Sequence, residues 1–237
     1  MSTVTETQAP VESYQEPAGA SPRGTVIVIG GRGESAALYA RLGRRLSADA
    51  YRVVVVADAA ANADALRLRA AAVASDPDLV RPVVVAGSDS GATAALAIAA
   101  TDPAVAAAIV AGIALSSSVV DAPLEDRSAC PVHLGLLGTP ANFSRAAAVA
   151  APVPGDLPGV TVPVLAVHGE ADAITPFDLA AEHYRALPHL ELWQTVGGKH
   201  DAFNDANHRS VAAAIVQFLE RLRLGDVTQP VVRPVSL

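Results

Sequence analysis

The stretch Gly87-Ser88-Asp89-Ser90-Gly91 stands between a run of β-branched residues and a run of helix-forming residues. Val83-Val84-Val85-Ala86 precedes it, and the alanine-rich segment 92–100 follows it. Small residues between a strand and a helix are typical of a nucleophile elbow, a sharp turn that exposes its middle residue above a parallel sheet. Glycine permits the close backbone approach that such a turn needs. The sequence therefore predicts Asp89 at the tip of the turn, with Ser88 or Ser90 as alternatives if the turn is shifted by one residue.

Composition limits the class of protein. The 237 residues are 51% apolar, which suffices for the core of one α/β domain. A formal net charge of −7 and the lack of a basic cluster in the sequence argue against nucleic acid and membranes as partners. One cysteine, Cys130, excludes an internal disulfide and fits a reducing cytoplasm. We therefore expect a cytoplasmic protein that acts on a small molecule. A homodimer is one alternative for its oligomeric state.

Strand-like and helix-like segments alternate along the chain, which predicts a parallel sheet with helices on both faces. The predicted strands are 25–29, 51–57, 82–86, 107–115, 162–167 and 190–196, and the predicted helices are 34–47, 62–74, 92–100, 177–187 and 205–222. Residues 116–160 interrupt this alternation and predict a lid with one short helix near 144–151. The expected organisation is a disordered tail over 1–23, one domain over 24–225 and a C-terminal tail over 226–237.

Two further loops follow predicted strands and carry titratable residues. His168-Gly169-Glu170-Ala171-Asp172 comes after strand 162–167, and Gly197-Gly198-Lys199-His200 comes after strand 190–196. Ligands of parallel sheets bind beyond the carboxyl ends of the strands. Asp89, Asp172 and His200 are therefore predicted to approach one another at that end of the sheet.

In this order and context, the three motifs resemble those of α/β-hydrolase-fold proteins over about residues 24–223. The resemblance implies a three-layer α/β fold with a mostly parallel sheet of about six strands and a small lid. It assigns the role of acid to Asp172 and the role of base to His200. Gly30-Gly31-Arg32-Gly33 resembles the oxyanion loop, so that the backbone N–H groups of Arg32 and Ser90 would form the oxyanion hole.

Aspartate at the elbow resembles the nucleophile of haloalkane dehalogenases and epoxide hydrolases, whose carboxylate attacks an sp³ carbon and forms an ester. In those families, a histidine then activates the water that hydrolyses the ester. Two departures are visible, because Ser90 replaces the halide-binding tryptophan and residues 116–160 contain no tyrosine. The expected activity is hydrolysis of a small, fairly apolar ester, lactone, epoxide or C–X bond. A lyase or isomerase, and a ligand-binding protein without activity, remain alternatives.

Several other residues have predicted roles. The Arg32 side chain either meets a substrate carboxylate or is a solvated loop charge. Cys130 and His133 are too few for a zinc site, and we expect neither a metal nor a cofactor. Asp201 and Asp205 are predicted to cap the last helix. The residues expected to contact the substrate are Gly31, Ser88, Phe143 and Phe203.

Overall fold

The computed structural model of the chain describes residues 11–150, 159–233 and 235. Its strands are β1 (Val11–Tyr14), β2 (Gly24–Ile29), β3 (Tyr51–Val56), β4 (Val83–Asp89), β5 (Val105–Ile113), β6 (Val164–Gly169) and β7 (Leu190–Thr195). Its α-helices are α1 (Ala40–Ala48), α2 (Ala63–Ala74), α3 (Ser90–Thr101), α4 (Leu124–Arg127), α5 (Pro131–Leu137), α6 (Arg145–Ala150), α7 (Phe177–Tyr184) and α8 (His208–Arg223). A short 3₁₀ helix, Ala36–Tyr39, leads into α1.

The strands form one sheet in the order β1-β3-β2-β4-β5-β6-β7. Strands β2 to β7 are parallel, and β1 pairs antiparallel with β3 at one edge. The predicted parallel α/β architecture is confirmed, with seven strands instead of about six. Within the described residues, no helix is both long enough and apolar enough to cross a bilayer.

The sheet is apolar on both faces, and its side chains alternate between two cores. Val26 and Val28 face the core that contains α1 and α8, while Ile27 and Ile29 face the core that contains α2, α3 and α7. Successive side chains of a strand point to opposite faces, so a continuous run of β-branched residues serves both layers of helices. Because the strands are buried on both faces, their carboxyl ends are held in fixed positions. The loops that follow the strands therefore start from fixed points.

The expectation of a disordered tail over residues 1–23 is wrong for residues 11–14, and residues 1–10 lie outside the described part of the chain. Val11 is paired with Val56 and Tyr14 with Val53. This pairing satisfies backbone groups that would otherwise be exposed at the edge of β3. The Glu16 carboxylate accepts two hydrogen bonds from Arg52, each 2.8 Å long. A polar, proline-containing segment is thus ordered by a neighbour that is distant in sequence.

The segment after β5 contains three short helices, α4, α5 and α6, where one was expected. Helix α6 corresponds to that predicted helix, and residues 151–158 lie outside the described residues. The segment contacts the loop after β2, because the Ser144 N–H donates to the Gly33 carbonyl at 2.8 Å. It also contacts the loop after β7, where the Asp201 N–H donates to the Arg127 carbonyl at 2.8 Å. The segment therefore lies over the carboxyl ends of the strands.

The last helix begins at His208 with Asn207 as its N-cap, so the prediction that Asp201 and Asp205 cap it is wrong. Asp205 instead accepts hydrogen bonds from the backbone of Ala129 and Lys199 at 2.6 and 2.7 Å. Both aspartates are buried, and they connect the helical segment after β5 to the loop after β7. The described part of the C-terminal tail, residues 226–233, contains no helix or strand.

Candidate active site

Asp89 lies at the junction of β4 and α3 with φ 54° and ψ −122°. A non-glycine residue with positive φ is strained and is common at functional sites. The glycines on either side allow the turn to be this tight. A Cβ on Gly87 would overlap the backbone of Gly91, and a Cβ on Gly91 would overlap the carbonyl of Ile29. The strained backbone thus falls on Asp89 and not on either neighbouring serine.

The carboxylate of Asp89 is held by Arg32. Nη2 of Arg32 lies 2.6 Å from Oδ1, and Nε lies 2.8 Å from Oδ2. The backbone N–H of Arg32, the expected oxyanion-hole donor, also donates to Oδ2 at 2.9 Å. Both residues are buried, with 2% of Arg32 and none of Asp89 exposed. The Arg32 side chain is therefore neither solvated nor free in this structure, since it is the ion-pair partner of Asp89.

His200 links two carboxylates. Its Nδ1 lies 2.8 Å from Oδ2 of Asp172, and its Nε2 lies 3.4 Å from Oδ1 of Asp89. Burial alone would lower the pKa of His200, but the nearby charges of Asp172 and Asp89 outweigh it and raise this pKa to about 9. At neutral pH His200 is therefore an imidazolium that donates one proton toward each carboxylate.

The loop after β6 fixes Asp172. One carboxylate oxygen accepts the N–H groups of Ile174 and Thr175 at 2.8 and 2.9 Å. The other oxygen faces His200 and also lies 3.0 Å from Nε2 of His168. Burial raises the pKa of the Asp172 carboxyl, but His200 and His168 outweigh it and hold this pKa well below its usual range. Asp172 is thus an anion whose position is fixed by its own loop and whose charge is stabilised by His200 and His168.

The pKa of the Asp89 carboxyl is also low. Burial would raise it, whereas the charge of Arg32 and the hydrogen bond from His200 hold it well below its usual range. Asp89 is therefore ionised at neutral pH. An anionic carboxylate on an elbow, next to an imidazole, is an arrangement that can perform nucleophilic or acid–base chemistry.

Sequence reasoning missed a second buried cluster next to this site. Glu34 accepts hydrogen bonds from the Tyr39 hydroxyl and from the Gly31 N–H, the latter at 3.0 Å. Nη1 of Arg127 lies 3.6 Å from Glu34. Burial and the charge of Asp201 raise the pKa of Glu34, although Arg127 opposes them. Gly31, Glu34 and Tyr39 are near neighbours in the sequence, whereas Arg127 comes from the segment after β5 and is brought to Glu34 by the fold.

His133 and Asp201 extend the polar network. Nε2 of His133 lies 2.8 Å from Oδ2 of Asp201, and both side chains are buried. Burial lowers the pKa of His133, but Asp201 outweighs it and raises this pKa. The Ser88 hydroxyl lies 3.5 Å from the other oxygen of Asp201. His133, which lies in the predicted lid segment 116–160, is therefore an ion-pair partner of Asp201 within the fold.

The other predicted site residues have different positions. Gly31 touches the elbow, since a Cβ there would lie 2.8 Å from Cβ of Asp89. Ser90 is buried and is the first residue of α3. The ring of Phe143 lies 4.8 Å below the guanidinium of Arg127. Phe203 lines a cavity between α1 and α8 whose lining includes none of Asp89, Asp172 and His200.

Gly112 also positions the site, and the sequence reading did not single it out. Its φ is 45°, and a Cβ at this position would overlap the carbonyl of His200. The end of β5 thus packs directly against the histidine loop. Within residues 11–150 and 159–233, no group of three or more His, Cys, Asp or Glu residues is arranged to hold a metal ion.

The chain has the α/β-hydrolase fold, as comparison with solved structures shows. An enol-lactonase from Burkholderia xenovorans superimposes with a TM-score of 0.73 at 15% identity, covering 89% of this chain and 96% of that one. A monoacylglycerol lipase from Paleococcus ferrophilus gives 0.69 at 16% identity, covering 91% and 98%. The esterase EaEST from Exiguobacterium antarcticum gives 0.69 at 16% identity, covering 89% and 94%.

Residues 144–228 match the family described as "TAP-like protein". This match covers the segment from α6 to the end of α8, which includes Asp172 and His200 but not Asp89. No curated protein matches the sequence significantly. The comparisons thus support the fold over about nine-tenths of the chain, while the role of each site residue depends on the geometry given above.

Proposed function

We propose that this protein is a hydrolase of small molecules in which Asp89, His200 and Asp172 act as nucleophile, base and orienting acid. The observation that carries the proposal is the position of His200, whose two ring nitrogens face the elbow carboxylate at 3.4 Å and the Asp172 carboxylate at 2.8 Å. Covalent catalysis generally uses this geometry, in which a base contacts the nucleophile on one side and an orienting acid on the other.

A carboxylate nucleophile favours attack on an sp³ carbon, because attack on an acyl carbon would give a mixed anhydride. In the proposed reaction, an oxygen of Asp89 forms a bond to the substrate carbon while the C–X bond breaks and X⁻ departs, or while the epoxide C–O bond breaks and the epoxide oxygen takes the proton of His200. In the C–X case, His200 loses its proton to solvent once the ester has formed. His200 then removes a proton from water, and the resulting hydroxide attacks the carbonyl carbon of the ester. Cleavage of that ester releases the alcohol and regenerates the carboxylate of Asp89.

The charge of His200 fits this order of steps. Before attack, two carboxylates raise the pKa of His200 to about 9, so the imidazole is protonated. Esterification removes the charge of Asp89, and the pKa of His200 then falls because one of the two carboxylates that raise it is gone. The neutral base would therefore form at the step that requires a base, after the ester has been made.

The ion pair with Arg32 constrains the substrate. Nη2 of Arg32 lies 2.6 Å from Oδ1 of Asp89, so the guanidinium must leave this oxygen before it can attack. Among the described residues, Nη1 of Arg32 is buried without a hydrogen-bond partner. An anionic group on the substrate could accept from this nitrogen and draw Arg32 away from Asp89. We therefore favour a substrate with a carboxylate near its reacting carbon.

A second candidate is a ligand-binding protein without hydrolytic activity. The observation that favours it is the same ion pair, because Arg32 occupies both oxygens of the elbow carboxylate. A lyase or isomerase is a third possibility, since protonated His200 is better suited to act as an acid than as a base. Incorporation of ¹⁸O from labelled water into the product separates hydrolysis from a reaction of this third class.

The test uses the variant His200→Gln, in which the ester should accumulate. We expect incubation with 2-chloropropionate or styrene oxide to add the mass of the alkyl group to the peptide that contains Asp89. The double variant Asp89→Asn/His200→Gln is the matched control and should gain no mass. Modification of a serine at position 88 or 90 would contradict the proposal. The proposal would also be contradicted if His200→Gln folded stably but gained no mass, and if the unaltered chain turned over none of these probes.

A further inference from the structure

A cavity of about 210 Å³ lies between α1 and α8. It differs from the buried candidate site in being lined mainly by cationic side chains. Its floor is apolar and is formed by Leu42, Phe203 and Ala212. The remaining lining residues are Arg41, Arg44, Arg45, His208 and Arg209. The expectation that the chain has no basic cluster is wrong, because Arg41, Arg44 and Arg45 lie on α1 and the fold places Arg209 of α8 beside them.

The positive charge of this cavity is only partly neutralised. Arg45 lies 3.5 Å from Asp49 in an exposed pair. Among the described residues, no carboxylate lies within ion-pair distance of Arg44 or Arg209, and both arginines are exposed. The like charges of this cluster repel one another, which makes such a concentration of cations locally unfavourable although the chain has a net charge of −7. It indicates a site that attracts an anion.

The backbone of α8 adds to this potential. Helix α8 has 16 residues and begins at His208, with no acidic residue in its first turn and no side-chain cap. The N-terminus of a helix carries a partial positive charge and favours anions, so His208 and Arg209 stand where acidic residues are normally preferred. Burial and the nearby charges of Arg41 and Arg209 accordingly lower the pKa of His208.

One arginine is held in place before any ligand binds. Nη2 of Arg41 donates to the carbonyl of Asn204 at 2.5 Å, and Nη1 lies 3.3 Å from the sulfur of Cys130. Among the described residues, Nε of Arg41 is buried and has no hydrogen-bond partner. The guanidinium is thus held beside the cavity before an anion binds, which reduces the entropy lost on binding.

We propose that this cavity binds a small organic phosphate, with the phosphate among Arg41, Arg44, Arg209 and the first turn of α8. Guanidinium groups match phosphate oxygens with two parallel hydrogen bonds. The volume is smaller than that of pockets for drug-sized ligands, which limits the ligand to a small molecule. The apolar floor of Leu42 and Phe203 would contact the organic group. This site is independent of the proposed hydrolase reaction.

Calorimetry with the full chain in chloride buffer tests the proposal. Phenyl phosphate should bind saturably with one site per chain, and more tightly than inorganic phosphate. In the double variant Arg44→Gln/Arg209→Gln, the affinity should fall about tenfold or more, because two charge-assisted contacts are lost. Both side chains are exposed, so the variant should fold. Arg185→Gln, which changes an exposed arginine just after α7 on the opposite face of the sheet, should leave the affinity unchanged.

The outcomes separate the alternatives. The imidazole resonances of His208 should shift on addition of phenyl phosphate, and their pKa should rise when the anion is bound. An unchanged affinity in the double variant would overturn the proposed location. If citrate or inorganic phosphate bound as tightly as phenyl phosphate, the proposal that the ligand is an organic phosphate would be overturned. Absence of saturable binding would overturn the site altogether.

Discussion

The guanidinium of Arg32 and the carboxylate of Asp89 form a buried two-point ion pair, with contacts of 2.6 and 2.8 Å at the tip of the elbow. The same carboxylate accepts the Arg32 backbone N–H at 2.9 Å. One residue therefore supplies both the expected oxyanion-hole donor and a counterion for the proposed nucleophile. Two buried charges at this separation depend on each other, since neither is solvated by water.

The variant Asp89→Asn should be strongly destabilised as well as inactive. It leaves the Arg32 guanidinium buried without a counterion, which typically costs about 3–5 kcal/mol. Urea denaturation measures the change in the free energy of unfolding. Asp64→Asn, which removes an exposed partner of Arg67, is the control and should change stability little. A loss for Asp89→Asn as small as that of the control would contradict the mutual dependence of the pair.

The double variant Arg32→Gln/Asp89→Asn should be less destabilised than the sum of the two single variants. Each single variant leaves one buried charge unpaired, whereas the double variant removes both charges and keeps two amides that can bond to each other. A double-mutant cycle in urea gives the coupling free energy, expected to exceed about 1 kcal/mol. Additive losses would show that Arg32 and Asp89 do not stabilise each other.

Stability should fall as the pH rises through the pKa of His200. This pKa is raised to about 9 in the folded chain, from an ordinary value near 6.5. The stabilisation from the imidazolium is therefore complete below about pH 6.5 and is lost as the pH rises through about 9. Unfolding free energies measured from pH 6 to 10 check this slope. His200→Gln should remove most of it, while the exposed His189→Gln should not.

Asp172→Asn should lower the pKa of His200 and the rate of turnover together. Only Asp89 would then remain to raise this pKa, and the amide would no longer orient the ring through a charged hydrogen bond. By analogy with orienting acids of serine proteases, turnover should fall by about 10³ to 10⁴. NMR titration of His200 and steady-state rates measure the two effects. Glu170→Gln changes an exposed carboxylate of the same loop and should alter neither.

Gly43→Ala should destabilise the chain although alanine is the better helix former. Gly43 lies inside α1, and a Cβ there would overlap the ring of Tyr14 in β1. Alanine gains about 1 kcal/mol in helix propensity, whereas overpacking typically costs about 1–3 kcal/mol. Thermal unfolding should show a lower Tm. Tyr14→Ala/Gly43→Ala removes the clash, so it should have a higher Tm than Tyr14→Ala alone, whereas a Tm below that of Tyr14→Ala would place the cause elsewhere.

Local sequence patterns predicted most of the fold. Runs of β-branched residues such as Tyr51–Val56 and the small residues around Asp89 specify strands and a tight turn through interactions between near neighbours. The order of the loops that carry Asp89, Asp172 and His200 predicted that these side chains would meet, because parallel strands end at one edge of the sheet. The strands and the turn depend on residues within a few positions of one another.

The partners of the charged side chains depended on the tertiary structure. Nothing near Arg32 in the sequence indicates that its side chain turns toward Asp89, 57 residues away. The edge strand Val11–Tyr14 likewise forms because it pairs with β3. The cationic cavity forms because α1 packs beside α8. The sequence by itself determined the strands, the turn and the chain order of Asp89, Asp172 and His200. Only the tertiary structure decided which charges face each other, since burial and ion pairing depend on segments that the fold alone brings together.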